Sequence, residues 1–249
     1  MTRTPLVAIA GIWLVATACL STSGPTPLEP LPPGGHHVLF IGNSLTDAND
    51  LPGTLALIAA SAGDTIRVAS VTAANFALID HLNGGTNAVQ AIAAGGWEYV
   101  VLQQGPSTLA VNRDSLVLWT RMFDPYIRAA GARPALFMVW PDYTRTAFFD
   151  DCRGSYQMAA QAVNGLFLPA GVAWTVAWQT SPQLELYGPD GYHPSSLGTY
   201  LAALVMYEKI TGHDARTLPT LTGTGLLGIP VETVRLLQQS AHQANALYP

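Results

Sequence analysis

Apolar positions along the chain fall into short continuous runs separated by longer stretches of helical spacing. Val38 to Ile41 is apolar throughout, the pattern of a strand buried on both faces. Leu51 to Ala62 has helical spacing and stops at Gly63, and Thr65 to Val71 alternates as a second strand would. Thr86 to Ala94 predicts a short helix closed by Gly95-Gly96. Tyr99 to Leu102 predicts a third strand that ends in Gln103-Gln104-Gly105-Pro106.

The same alternation continues to the end. Arg113 to Ala130 predicts a long helix with Leu116, Leu118, Trp119, Met122 and Phe123 as its inner face. Ala135 to Trp140 predicts a fourth strand, Phe148 to Leu168 a helix, and Val172 to Ala177 a fifth strand. Leu197 to Ile210 is a helix with Ser195 or Ser196 as N-cap and Gly212 beyond its end, and Val231 to Leu247 is the last helix. Strands separated by helices pair in parallel. The expected fold class is therefore α/β, a three-layer α/β/α sandwich on a mainly parallel sheet of about five strands. Sites in such sheets lie at the carboxyl ends of the strands. Gly42-Asn43-Ser44, Thr72 to Asn75, Gln103-Gln104 and Asp142 gather there.

The amino terminus reads as a signal peptide over residues 1–18. Arg3 precedes an apolar run from Pro5 to Ala18 that is short for a membrane span. It ends in Ala16-Thr17-Ala18-Cys19, small residues before a cysteine, which resembles a bacterial lipobox. Lipidation of Cys19 and plain signal-peptidase cleavage are both open. Residues 19–35 are rich in Pro, Ser, Thr and Gly and predict an extended tether. Residues 36–249 then form the folded domain. Export follows, to the cell envelope as a lipoprotein or otherwise to the periplasm or medium. Membrane contact is expected only through the lipid anchor.

Charge narrows the function. Hydrophobic residues make up 49% of the 249 and charged residues 11%, with a net charge of -5. Lys209 is the only lysine, so nucleic-acid binding has no support. The two cysteines, Cys19 and Cys152, imply no disulfide framework. No metal-ligand spacing occurs, and neither a metal nor a cofactor is expected. His36-His37 beside the tether reads as a solvated pair, and His213 and His242 have no partner motif.

Two segments carry candidate chemistry. Val38 to Thr46 is a buried-strand pattern ending in a Gly42-Asn43-Ser44 turn, which presents the Ser44 hydroxyl at the sheet edge. Asp190-Gly191-Tyr192-His193-Pro194 offers a carboxylate and an imidazole three residues apart. A serine hydroxyl needs an adjacent base to act as a nucleophile, and the base needs an orienting group. Ser44, His193 and Asp190 supply those roles. His81, just after the Thr72 to Asn75 segment, reads as a surface helix position or a residue lining the site. Trp140 is a core or substrate-wall residue, and Trp174 and Trp178 are assigned to the core.

This layout resembles the SGNH (GDSL-like) hydrolase family over roughly residues 37 to 212. That family carries its serine in a Gly-Asp/Asn-Ser block after the first strand and an Asp-x-x-His block near the carboxyl end. The resemblance implies a flavodoxin-like SGNH hydrolase fold and ester hydrolysis through an acyl-enzyme, with an oxyanion held by the Ser44 N–H and two further groups. The family glycine after the second strand is matched here by Asn75. The family asparagine after the third strand is matched by Gln103, with Gln104 as the alternative. The expected substrate is a small-molecule or glycan ester with a short acyl group, such as an O-acetyl group. A longer-chain lipase or thioesterase, or a surface-tethered binding lipoprotein with weak turnover, are the other readings.

Overall fold

In a computed structural model that describes residues 1, 34–220 and 228–249, the apolar run Val38 to Ile41 lies inside the first strand, β1 (His36–Gly42). β2 (Ile66–Thr72) and β3 (Tyr99–Leu102) pair with it on either side, and β4 (Arg133–Phe137) and β5 (Leu166–Leu168) extend the sheet. All pairings are parallel and the order is β2-β1-β3-β4-β5. Val38, Leu39, Phe40 and Ile41 are fully buried, each contributing about 1.5–3 kcal/mol of apolar burial. The chain leaves β1 toward β2 and returns across it to β3. This reversal opens a crevice at the carboxyl ends of β1 and β3.

Nine helices join these strands among the described residues: α1 (Ser44–Asp47), α2 (Leu51–Ser61), α3 (Leu78–Asp80), α4 (Ala88–Ala93), α5 (Ala110–Ala129), α6 (Phe149–Ala162), α7 (Ala170–Thr180), α8 (Ser196–Thr211) and α9 (Val231–Leu247). α2, α7, α8 and α9 pack together as one layer, and α4, α5 and α6 as the other. The three-layer α/β/α sandwich on a five-stranded parallel sheet is as expected.

The fifth strand is not where the pattern put it. Val172 to Ala177 is helical, within α7, and the strand is the tripeptide Leu166–Leu168. α7 is buried almost all round, so it has no polar face to reveal a helical period. The preceding helix ends at Ala162 rather than at Leu168. Asn164 stops it in a left-handed conformation (φ 46°). A Cβ on Gly165 would sit 2.9 Å from the Pro134 carbonyl, so the chain can approach β4 only through glycine. β4 is likewise displaced, running from Arg133 to Phe137.

The buried face of α5 is Leu116, Thr120, Phe123 and Ile127, whereas Leu118 and Met122 are exposed. His36 and His37 begin β1 rather than precede it. His36 Nδ1 pairs with Glu98 at 2.6 Å. The predicted signal peptide, Cys19 and the tether up to residue 33 lie outside the described residues. No helix of the described residues is long and apolar enough to cross a membrane.

Candidate active site

Asn43 turns the chain out of β1 and caps α1. Its Oδ1 accepts from the Leu45 N–H at 3.0 Å, a side-chain cap on a helix start. Its Nδ2 donates to the Phe76 carbonyl at 3.0 Å, which ties the turn to the loop after β2. Ser44 is the first residue of α1 and is half-buried. Its N–H belongs to the orphan donors of a helix start and has no hydrogen-bond partner among the described residues.

The second segment is a turn built around Asp190. Asp190 Oδ1 accepts from the N–H groups of Tyr192 and His193, both at 3.0 Å. Gly191 adopts the left-handed conformation that the turn needs (φ 69°). These bonds aim Asp190 Oδ2 at His193 Nδ1, 2.5 Å away. His193 Nε2 then lies 2.9 Å from Ser44 Oγ. With Nδ1–H donated to the carboxylate, Nε2 is the acceptor for the Ser44 proton. The bond from the His193 ring, helped by the Tyr192 N–H, pulls the Asp190 carboxyl down to about 2.

Two residues fix this turn to the rest of the fold. Trp140 Nε1–H donates to the Tyr192 carbonyl at 3.0 Å, and the Trp140 ring stacks on Trp174 with centroids 3.7 Å apart. Both indoles are fully buried. Trp140 is therefore core and a support of the turn at once. Asn49 supplies the second tie, from the segment after Ser44. Its Nδ2 donates to the Pro194 carbonyl at 2.9 Å and to Thr199 Oγ1 at 3.0 Å. Asn49 had no assigned role in the sequence reading. Its signal was position, since Asn49-Asp50 before Leu51-Pro52 marks a helix start and asparagine tolerates its positive φ of 54°.

The strand ends around Ser44 form a buried polar network. Gln103 Oε1 accepts from the Asn43 N–H at 2.8 Å and from Thr46 Oγ1 at 2.7 Å. Its Nε2 donates to Asn43 Oδ1 at 2.9 Å and to the Gln104 carbonyl at 2.6 Å. Both amide hydrogens are thus committed and the side chain is fully buried. The expectation that Gln103 donates to an oxyanion fails on this count. Gln103 instead holds the Asn43 turn in place. A Cβ on Gly42 would fall onto Gln103 Oε1 and within 2.6 Å of Thr46 Oγ1, so the glycine is required by close approach.

Gln104 is bound less completely. Its Nε2 donates to Ser107 Oγ at 3.1 Å and its Oε1 accepts from the Leu78 N–H at 3.4 Å. One of its two amide hydrogens has no partner among the described residues. Asn75 is exposed with φ 64°, a glycine-like conformation at the position matched to the family glycine. Its N–H has no partner among the described residues.

His81 is a correction. It is fully buried, not a surface residue. Its Nε2 lies 3.0 Å from the Gly42 carbonyl and its Nδ1 2.9 Å from Thr86 Oγ1. The carbonyl can only accept, so the ring is the Nε2–H tautomer, and burial lowers its pKa below the ordinary value. His213 and His242 have partners too, Asp64 at 2.9 Å and Glu208 at 2.9 Å. Among the described residues, Glu208, Asp214 and His242 bring potential metal-ligand atoms within 4.8 Å of one another. Both Asp214 oxygens bond Arg216, and the Glu208 oxygens bond His242 and the Ala215 N–H. The cluster is an ion-pair network about 18 Å along α8 from Ser196.

A groove of about 1300 Å³ runs along the flank of the Asp190 turn formed by Gly188, Gly191 and Pro194. Ser44 and His193 do not line it. Trp178, assigned to the core from sequence, forms part of its wall.

No protein-family model and no curated protein matches the sequence. Among solved structures, the chain is similar to a DUF4886 family protein from Bacteroides uniformis, with 22% identity and a TM-score of 0.74. That match covers 87% of this chain and 96% of that one. It is also similar to a proposed SGNH hydrolase from Slackia heliotrinireducens, with 28% identity, a TM-score of 0.58, and 71% and 99% of the two chains covered. A third similar structure is an acetylxylan esterase from Geobacillus stearothermophilus, at 17% identity and a TM-score of 0.54, covering 71% and 94%.

Proposed function

We propose that this chain, whose five-stranded parallel sheet between helical layers is the SGNH-hydrolase fold, is a serine esterase that cleaves short acyl esters. The observation that carries the reading is the 2.9 Å approach of His193 Nε2 to Ser44 Oγ, with Nδ1 held by Asp190. Ser44 Oγ attacks the ester carbonyl carbon while its proton passes to His193 Nε2. The tetrahedral intermediate collapses, and the leaving alkoxide takes that proton. Water then repeats the sequence on the acyl-enzyme, releasing the acid and restoring Ser44. Asp190 keeps the imidazole in the required tautomer and stabilises its cationic form.

The oxyanion is held by the N–H groups of Ser44 and Asn75 and by Gln104 Nε2. All three are donors near the strand ends that have no partner, or a spare hydrogen, among the described residues. Each such donor is worth about 3 kcal/mol in the transition state. A short acyl group is supported by the absence of Ser44 from the lining of the groove. Export rests on Arg3, the run to Ala18 and Ala16-Thr17-Ala18-Cys19, with Cys19 lipidated. Intact mass of the mature protein tests this: an unacylated amino terminus at or after Cys19 rejects the anchor.

A fluorophosphonate probe tests the enzyme reading. It should label Ser44 in the wild-type protein and leave Ser44→Ala unlabelled, and Ser44→Ala should hydrolyse nitrophenyl acetate at least a thousandfold more slowly. One observation favours a second reading, a binding protein with weak turnover: the family's oxyanion asparagine is matched by a Gln103 with no free donor. Absence of labelling and turnover in the wild type would establish that alternative. A nitrophenyl ester series of rising chain length separates short-acyl from lipase or thioesterase activity.

A further inference from the structure

The groove beside the Asp190 turn has a composition that the hydrolysis of a short acyl group does not use. Four aromatic rings meet along it. Tyr187 stacks with Trp178 (centroids 5.9 Å, 26°) and meets Tyr143 edge-on (5.6 Å, 87°), and Phe149 meets Trp178 edge-on (5.8 Å, 88°). The polar atoms of the two central rings are already engaged. Trp178 Nε1–H donates to the Leu184 carbonyl at 2.9 Å and Tyr187 O–H to the Pro141 carbonyl at 2.6 Å. What these rings offer a ligand is therefore apolar surface. Tyr143 stands 65% exposed at the rim.

Beside the rings, Gln179 and Gln183 are exposed, and their amides have no partner among the described residues. Each amide presents a donor and an acceptor in one plane, a match for two neighbouring hydroxyls. Among the described residues, Glu185 is the only acidic one that lines the groove, and no lysine, arginine or histidine faces it. A phosphate or other anion would find no counter-charge there. The volume of about 1300 Å³ exceeds what one small ligand fills. The combination of flat apolar faces with neutral amides at their edge suits a ligand that alternates C–H faces and equatorial hydroxyls.

We propose that this groove binds a neutral sugar chain, the alcohol half of the ester substrate. Gly191 and Pro194, which wall the groove, flank His193 in the same turn. A chain lying in the groove is thereby held beside the turn that carries His193. Assignment of the sugar as substrate rests on the esterase reading, whereas the binding itself does not.

The test uses the full exported chain carrying Ser44→Ala, so that nothing is turned over. Titration with unacetylated xylohexaose, cellohexaose and mannohexaose is read by tryptophan fluorescence and calorimetry. Saturable binding of at least one hexasaccharide is expected. Tyr143→Ala and Gln183→Ala should each weaken it about tenfold. In the wild-type background the same two changes should lower kcat/KM for the acetylated hexasaccharide about tenfold and leave nitrophenyl acetate hydrolysis within twofold. No saturable binding of any hexasaccharide at about 10 mM would overturn the proposal. So would an unchanged affinity in both variants, or saturable binding of an unstructured neutral peptide in place of the sugars. Sugar binding without fluorophosphonate labelling of the wild type would keep the groove and reject the esterase.

Discussion

Asn49 Nδ2 donates to the Pro194 carbonyl across 145 positions of sequence, joining the segment after Ser44 to the residue after His193. Ser44 and His193 are thus tied through their neighbours as well as through their own 2.9 Å contact. Asn49→Ala removes this bond and the one to Thr199 Oγ1, and puts alanine, which tolerates the left-handed region less well than asparagine, at φ 54°. Asn49→Gly removes the bonds without the strain. Turnover should fall about tenfold in both with KM within twofold, and Asn49→Gly should be the more stable of the two. Full turnover in Asn49→Gly would mean that the tie does not position the site.

The two glutamines after β3 should fail differently. Gln103→Ala leaves the buried Asn43 N–H and Thr46 Oγ1 without their acceptor, and buried groups left unpaired cost about 1–3 kcal/mol each. A large fall in melting temperature is expected. Gln104→Ala should melt within a few degrees of the wild type but lose about a hundredfold in kcat with KM little changed. Equal kcat losses with equal stability in the two variants would contradict this division of roles.

His81 makes stability pH-dependent. Burial lowers its pKa, against the weaker opposing effects of the Gly42 carbonyl and the Asp80 charge. The folded state therefore binds the proton less well than the unfolded state. Its stabilisation is complete above the unfolded value of about 6.5 and is lost as pH falls below it. In His81→Gln an amide N–H can still reach the Gly42 carbonyl but does not titrate. Thermal melts from pH 7 to 5 should drop more steeply for the wild type than for His81→Gln. Parallel curves would remove His81 from the acid response.

Asp190 acts in the opposite window. The His193 ring and the Tyr192 N–H hold its carboxyl at about 2, below an unfolded value of about 3.8. Its contribution to stability is present above that value and fades only toward pH 2. It stays ionised throughout any practical assay, so Asp190 should add no acid limb near pH 4 to kcat/KM. Asp190→Asn should lower kcat a thousandfold or more. A limb that moves in step with a carboxylate near pH 4 would contradict this.

The hydrophobic pattern was enough for the sheet because strands buried on both faces are continuous apolar runs. β1, β3 and β4 lie at or within a few residues of such runs, and β2 showed instead as an alternating segment. Leu166–Leu168 was hidden because it is three residues long and followed at once by a helix that is apolar on every side. Ser44, His193 and Asp190 were legible because their local turns, Gly-Asn-Ser and Asp-Gly-x-His, have chemistry of their own. Gln103 misled because its type and position fit a donor, while its partners, Asn43 and Thr46, lie 60 and 57 residues away. His81 was opaque for the same reason: its contact with Gly42 spans 39 residues and leaves no trace in its own neighbourhood.

The distance along the chain between Ser44 and His193 also has a kinetic meaning. The two meet over 149 positions, and the turn that carries His193 leads directly into α8, which packs against α2. Contacts of such long sequence separation form late, after the loop between them has been closed. During refolding, helical circular dichroism should therefore return before ester hydrolysis does. Regain of activity becomes a clock for the last docking step, with Asn49→Gly delaying the clock while leaving the earlier signal in place.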